Sequence, residues 1–378
     1  MTGMHVVVAG WTFGTGPSGA TRRQVELLRA LPPHLRDGER VTVLVEDPAL
    51  GPPRPYPEVP FRVLPFPAPH LPTWRRVLAE RRHLARTLRR LGADVLDLGT
   101  LPVHGRLPCP VVLTIHDLRE DHPDFARRAG WLQRRVLRSA LARARRVVVP
   151  SRFTADALHH AFADRAPPVE IVPNGVDAAF LDLRPEPAAK PYLLHVGHLE
   201  PRKNLEFLVD VHAQLTGPAA AAHLVLVGQD LGSGAAVRAR IAARGTRDRV
   251  QVLGTVDEAR LRTLYAGARA AVIPSRYEGF GLPALEALAV GVPTVVADAG
   301  ALPEVTGESA ILLPTGDLRA WVQALESILG HQDAPELVEA RKRQAASFSW
   351  DRAAAATARA WRSAAGHAPD QPARTEAP

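Results

Sequence analysis

Two kinds of pattern alternate along the chain. Short uninterrupted runs of aliphatic and β-branched residues are followed by stretches whose apolar positions recur every three or four residues. In the first half the runs are His5–Ala9, Val41–Val45, Phe61–Leu64, Val95–Leu98, Val111–Ile115, Arg146–Val149 and Val169–Val172. In the second half they are Tyr192–Val196, Leu224–Val227, Val250–Leu253, Ala271–Ile273, Thr294–Ala297 and Ile311–Leu313. Runs without polar alternation, separated by helices, are strands buried on both faces of a parallel sheet. Between the two sets lies Leu183-Arg184-Pro185-Glu186-Pro187-Ala188-Ala189-Lys190-Pro191, whose Pro and Ala suit a linker. The pattern predicts an α/β protein with two doubly wound, Rossmann-like domains, 1–183 and 184–345. A last helix is expected over 346–365 and a polar, disordered tail over 366–378.

Two of the helical stretches are strongly basic. In Trp74–Leu91 the apolar positions 74, 77, 78, 84, 85, 88 and 91 follow the helical period, with arginines 75, 76, 82, 86, 89 and 90 mainly opposite. Trp131–Leu141 repeats this, with Arg134, Arg135 and Arg138 against Trp131, Leu132, Val136, Leu137, Ala140 and Leu141. Each reads either as a solvated surface helix or as an Arg face for anionic lipid or an anionic acceptor. Near the end, Trp350 and Trp361 are 11 residues apart and share one helical stripe, which needs a partner to bury it.

Composition narrows the class. With 378 residues and 46% hydrophobic content there is ample material for large cores. The single cysteine, Cys109, excludes an internal disulfide framework and a Cys-rich zinc site. The start MTGMHVVVAG lacks a basic n-region, and no run approaches the ~18 apolar residues of a membrane span. The expectation is a cytoplasmic protein. The net charge is +8, yet Leu71–Arg146 alone carries 17 arginines against 7 acids. Nucleic acid is not expected as a partner, because no aromatic stacking array or zinc finger accompanies that charge. Only Lys190, Lys203 and Lys342 are lysines, so a lysine in this chain is informative.

Three motifs could carry chemistry. Gly14-Thr15-Gly16-Pro17-Ser18-Gly19 is a literal G-x-G-x-x-G between a strand and a helix, with Glu46 and Asp47 ending the next strand. In a dinucleotide fold that acid would hold a ribose, which makes an NAD(P)-dependent oxidoreductase the alternative reading. Against it, Gly10-Trp11-Thr12-Phe13 separates strand from glycines, and Pro17 lacks an amide proton. The second motif is His195-Val196-Gly197-His198-Leu199-Glu200-Pro201-Arg202-Lys203-Asn204, beyond the carboxyl end of a buried strand. Adjacent Arg202 and Lys203 after a Gly turn could clamp a diphosphate. The third is Glu278-Gly279-Phe280-Gly281-Leu282-Pro283-Ala284-Leu285-Glu286, where Pro283 opens a helix ending at Gly291. Its first amides favour an anion, and its two carboxylates suit sugar or ribose hydroxyls.

The spelling and order of these motifs resemble glycosyltransferase family 4, retaining enzymes of the GT-B fold. Thr114-Ile115-His116-Asp117-Leu118, Ser151-Arg152-Phe153-Thr154, Ile171-Val172-Pro173-Asn174-Gly175-Val176-Asp177 and Phe348-Ser349-Trp350 agree in order. The resemblance implies two Rossmann-like domains facing a central cleft, with the last helix crossing back onto the first domain. It implies a hexose, mannose-like or glucose-like, moved from a nucleotide-diphospho-sugar to a saccharide or lipid-linked hydroxyl. GDP-mannose stands slightly ahead of UDP-glucose. Arg202, Lys203 and the amides of Phe280, Gly281 and Leu282 would hold the diphosphate, beside Gly197 and Gly279. Glu278 would hold the transferred sugar, Glu286 the ribose, and Gly19 the phosphate or acceptor from the first domain. His116 would stand near the transferred sugar. No cofactor and no metal are expected, since no Asp-x-Asp occurs in the chain. An anionic membrane surface, met through 71–146 on the inner face of the cell membrane, is the further expected partner. One departure is Ser18-Gly19-Ala20-Thr21-Arg22, where the family usually has two adjacent glycines and then Gly-Arg.

Overall fold

The computed structural model describes residues 3–11, 13, 18–47, 49, 57–68, 73–99, 101, 105–119, 130–162 and 166–367. Gly14 to Pro17 and the tail from 368 lie outside the described residues. All thirteen apolar runs are strands: β1 His5–Ala9, β2 Arg40–Glu46, β3 Arg62–Phe66, β4 Val95–Leu98, β5 Val111–Thr114, β6 Ala144–Val149, β7 Val169–Ile171, β8 Tyr192–Val196, β9 His223–Val227, β10 Val250–Gly254, β11 Ala270–Ile273, β12 Thr294–Ala297 and β13 Ile311–Leu313. They form two wholly parallel sheets, in the orders β3-β2-β1-β4-β5-β6-β7 and β10-β9-β8-β11-β12-β13. Each sheet reverses its direction of winding once, between β1 and β4 and between β8 and β11. Ligands in open α/β sheets bind at such switch points, outside the carboxyl ends of the strands.

Burial explains the uninterrupted runs. Every residue of β1 and of β11 is buried, because helices cover both faces of each sheet. One core gathers Val7, Leu44, Leu96, Leu113 and Val147 with Leu84, Leu88 and Leu141. The other gathers Leu194, Leu226, Val272 and Val296 with Leu208, Leu285 and Trp321.

The compact units divide differently from the expected boundaries. One is Met1–Gly175 with Trp350–Pro378, the other Val176–Ser349. The break falls before Val176 rather than at 183/184 because Phe180 packs edge-on against Tyr265, 5.6 Å between centroids. The Pro-rich stretch does not link the units either. Glu186 and Ala188 donate their amides to Ala266 and Gly267 carbonyls, so it runs along the second unit.

The Trp350–Ala365 helix belongs to the first unit. Its two tryptophans are both buried, and Ala353, Ala354, Ala360 and Ala364 form a small-residue stripe beside them. Arg362 fixes it with a forked bond to Glu39, at 2.9 and 2.8 Å, and a bond to the His34 carbonyl.

The basic helices differ from expectation at their starts. Thr73–Ala79 runs through a π-wound turn, Glu80–Leu84, into Ala85–Leu91. Leu84 and Leu88 are buried as the period predicts, but Trp74 is 61% exposed. In Gly130–Leu141 likewise, Leu137 and Leu141 are buried while Trp131 is 68% exposed. The apolar stripe meets the sheet only over the later turns of each helix.

Candidate functional site

The second unit brings most of the expected site residues together at its switch point. β8 ends at Val196 just before Gly197, a turn of Pro201–Lys203 follows, and Asn204, left-handed at φ 56°, starts the Leu205–Ala213 helix. Asparagine tolerates that conformation better than other side chains. β11 leads into the Glu278 loop, and Gly281 (φ 102°) precedes the Leu282–Val290 helix, which ends at left-handed Gly291. Pro283 sits at its second position rather than the first, which still costs no hydrogen bond.

Glu278 is the centre of a buried ionic cluster. Lys203 Nζ donates to its Oε1 at 2.5 Å and Arg202 Nη1 to its Oε2 at 2.8 Å. Arg202 Nη1 also reaches the Tyr277 carbonyl at 3.1 Å, and Nη2 lies 2.6 Å from Glu200 Oε1. Burial alone would push the Glu278 carboxyl up, but Lys203 and Arg202 outweigh it and hold it well below the usual carboxylate range. Burial lowers Lys203, opposed by Glu278. Arg202 and Lys203 are therefore not open cations awaiting an anion, as their spacing suggested. They are tied to carboxylates in the same loop cluster.

Behind them lies fully buried His195. Its Nδ1 pairs with the Val272 carbonyl at 2.8 Å, which leaves Nε2 as the acceptor nitrogen. Burial and the nearby Lys203 charge hold its pKa down to about 4, so the ring is neutral. Gly197 is required for this packing, since a Cβ there would lie 3.2 Å from both His195 Nε2 and Lys203 Cε.

The rest of the cluster is backbone. The loop is pinned by Ala301, whose amide donates to the Glu278 carbonyl at 2.9 Å, and by Gly300, where a Cβ would strike Glu278 backbone at 2.6 Å. Among the described residues, the amides of Phe280, Gly281 and Leu282 have no hydrogen-bond acceptor. Phe280 and Gly281 are buried. The first amides of a helix have no acceptor within it, and the dipole there favours negative charge. Glu286, one turn into the helix, is 5% exposed and accepts from the Tyr265 hydroxyl at 2.8 Å.

Gly19 and His116 lie in the other unit. Gly19 is exposed as the first residue of the Gly19–Ala30 helix, whose Ser18 cap accepts from the Thr21 amide at 3.2 Å. His116, half-buried after β5, is held neutral, its pKa lowered to about 3 by burial and Arg23. Glu46 is buried at the end of β2.

Comparison with known proteins places the chain in a family. A family model described as Glycosyltransferase Family 4 matches residues 17–180, and one described as Glycosyl transferases group 1 matches residues 190–331. The chain belongs to glycosyltransferase family 4. It is 35% identical over 173 residues to an Escherichia coli O-antigen chain mannosyltransferase B, covering 45% of each chain. It is 31% identical over 270 residues to a Mycobacterium tuberculosis glycogen synthase, covering 67% of this chain and 63% of that one. The chain thus spans about half to under two thirds of the length of these curated relatives. Among solved structures, sucrose-phosphate synthase from Thermosynechococcus elongatus matches with a TM-score of 0.78 at 21% identity, covering 95% of this chain and 98% of that one. The fold is GT-B.

Four residues of this family 4 site were not singled out from the sequence. Glu200 and His195 lie within the quoted motif, but only their contacts distinguish them. Tyr265 is 21 residues from Glu286, and Gly300 is distant from Glu278; no local signal marks either.

Proposed function

We propose that the chain is a retaining hexosyltransferase that moves a mannose-like hexose from a nucleotide-diphospho-sugar to a saccharide or lipid-linked hydroxyl, without a metal. The observation that carries this reading is the run of three unpaired amides, Phe280 to Leu282, beside an ionised carboxylate. The diphosphate takes the amides and the helix N-terminus, with Arg202 and Lys203 at its edge. Glu278, kept ionised, accepts from hydroxyls of the transferred sugar, and Glu286 accepts from the ribose. Negative charge builds on the departing diphosphate in an oxocarbenium-like transition state, where amides and cations bind it more strongly than in the ground state.

His116, kept neutral, and Gly19 serve the acceptor side. The donor is GDP-mannose ahead of UDP-glucose, a preference in keeping with the E. coli relative's name. The acceptor attacks from the face the diphosphate leaves, so the anomeric configuration is retained. NMR of the product tests this, and an inverted anomeric centre contradicts it.

The enzyme works at the cytoplasmic face of a membrane. Trp74 and Trp131 are exposed beside the exposed Arg75, Arg134 and Arg135, a pairing suited to anionic headgroups. Among the described residues no helix is long and apolar enough to cross a membrane. Flotation with vesicles should be stronger with anionic lipid than with neutral lipid alone; equal flotation returns those arginines to the solvated surface.

A further inference from the structure

The first unit has a second buried charged cluster, outside the residues the donor reading uses. At the β1/β4 switch point a cavity of about 40 Å³ opens between the sheet, the Gly19–Ala30 helix and the Trp350–Ala365 helix. Arg23 and Asp97 both line it, and both are buried. Arg23 Nη1 donates to the Val172 carbonyl at 2.8 Å and to Asn174 Oδ1 at 2.5 Å, while Nη2 has no partner. Asp97 Oδ2 accepts from the Trp361 indole at 2.6 Å. Among the described residues Arg23 makes no ion pair with Asp97, so two opposite charges share the cavity without touching.

The chemistry of that gap is specific. A group placed there must accept from a guanidinium nitrogen and donate to a carboxylate, which a hydroxyl does and neither an anion nor a cation can do alone. Leu28, Leu31 and the Trp361 ring give the wall an apolar side, and Gln24, Thr114 and Thr357 add polar atoms elsewhere on it. The room equals about three water positions at ~10–15 Å³ each, enough for one carbon and one oxygen with little slack. His116 lies on the same lining, after β5.

We propose that this cavity seats the hydroxymethyl arm of the acceptor sugar, its oxygen between Arg23 Nη2 and Asp97 and its methylene against Leu28, Leu31 and Trp361. This rests on the glycosyltransferase reading, which makes the first unit the acceptor side. Arg23 and Asp97 then select a hexose acceptor over a pentose or a 6-deoxy sugar. A site built to hydrogen-bond a hydroxyl rejects the analogue lacking it, because its own buried groups are left unpaired.

The test is titration of the full chain, followed by NMR, with methyl α-D-mannopyranoside and with methyl α-D-lyxopyranoside, the same ring without the arm. The mannoside should bind at least about tenfold more tightly, the cost of losing one charged hydrogen bond. Thr357→Leu fills the cavity from the last helix, where Thr357 only back-bonds to the Ala353 carbonyl. It should erase the preference while circular dichroism stays unchanged. Arg23→Lys should weaken the preference as well. Equal affinities for the two sugars, no binding of either, or an undiminished preference in Thr357→Leu overturns the proposal and leaves the cavity to ordered water. GDP-mannose binding is measured alongside. Its absence with the sugar preference intact contradicts the donor reading and not this one.

Discussion

The two buried charge clusters, Glu278 with Lys203 and Arg202 in one unit and Asp97 with Arg23 in the other, have the same ingredients and opposite outcomes. Each sets a carboxylate and a guanidinium in low-dielectric surroundings, where burial is the largest influence on the carboxylate. In the first, direct contacts at 2.5 and 2.8 Å overturn the effect of burial and the carboxylate stays ionised. In the second the cation does not touch it, and burial wins: Asp97 is pushed up to about 6 despite the Trp361 bond and Arg23. Contact therefore decides the direction in which a buried carboxyl's pKa moves, more than the presence of an opposite charge. It also divides the work. In the proposed function the tied cluster holds a fixed acceptor for hydroxyls, and the untied one offers a donor and an acceptor for a ligand to join.

The largest effect that would break this contrast comes from Lys203→Ala. It removes the shorter contact and leaves Arg202 as the one cation paired with Glu278 among the described residues, so unfolding stability should fall by about 3 kcal/mol. Transfer should fall at least about a hundredfold. Denaturant curves and turnover check both, and a variant as stable as wild type would show that the contact does not govern the cluster.

Asp97 gives the next effect, through pH. Its folded pKa lies above the unfolded value, so the folded state binds that proton more tightly. The associated stability is complete below about pH 4, declines as pH rises to about 6, and is absent above. The decline amounts to roughly 2–3 kcal/mol over that window. Asp97→Asn keeps an oxygen for the Trp361 indole and should lose that part of the pH dependence. Glu278 has the opposite sign: its stability is present above the unfolded carboxylate pKa and is lost only as pH falls into strong acid. An unchanged slope between pH 4 and 6 in Asp97→Asn would mean that Asp97 is ionised like Glu278.

Two smaller substitutions sharpen the donor side. Gly281→Ala puts a Cβ at φ 102° and 2.7 Å from Leu302 Cδ2, and should cost about 1–2 kcal/mol while disordering the amide cradle. Tyr265→Phe removes one hydrogen bond to Glu286, worth about 1 kcal/mol by thermal denaturation.

The sheets were legible because a strand buried on both faces is apolar at most positions, so β1, β4, β8 and β12 fall on their expected residues. The Glu278-to-Glu286 motif was legible because glycines, a proline and a carboxylate each carry a local geometric meaning. Local pattern could not show that Trp74 and Trp131 would stand exposed, since periodicity records a face and not where along the helix the sheet ends. Nor could it place the break before Val176, which depends on Phe180 meeting Tyr265 85 positions later. The ion pairs of Arg202 and Lys203 were hidden for the same reason. Glu278 is 75 positions from Lys203, and opposite charges so far apart in sequence carry no mark of contact.

The central claim is that an ionised Glu278, its two cations and three unpaired amides hold a nucleotide-diphospho-sugar. Calorimetric titration of the full chain with GDP-mannose and UDP-glucose, beside Lys203→Ala, tests it most directly. Wild type should bind at least one of the two with saturable heat, and Lys203→Ala should weaken that binding at least about tenfold. No heat with either nucleotide-sugar, or equal affinity in the variant, would contradict the claim.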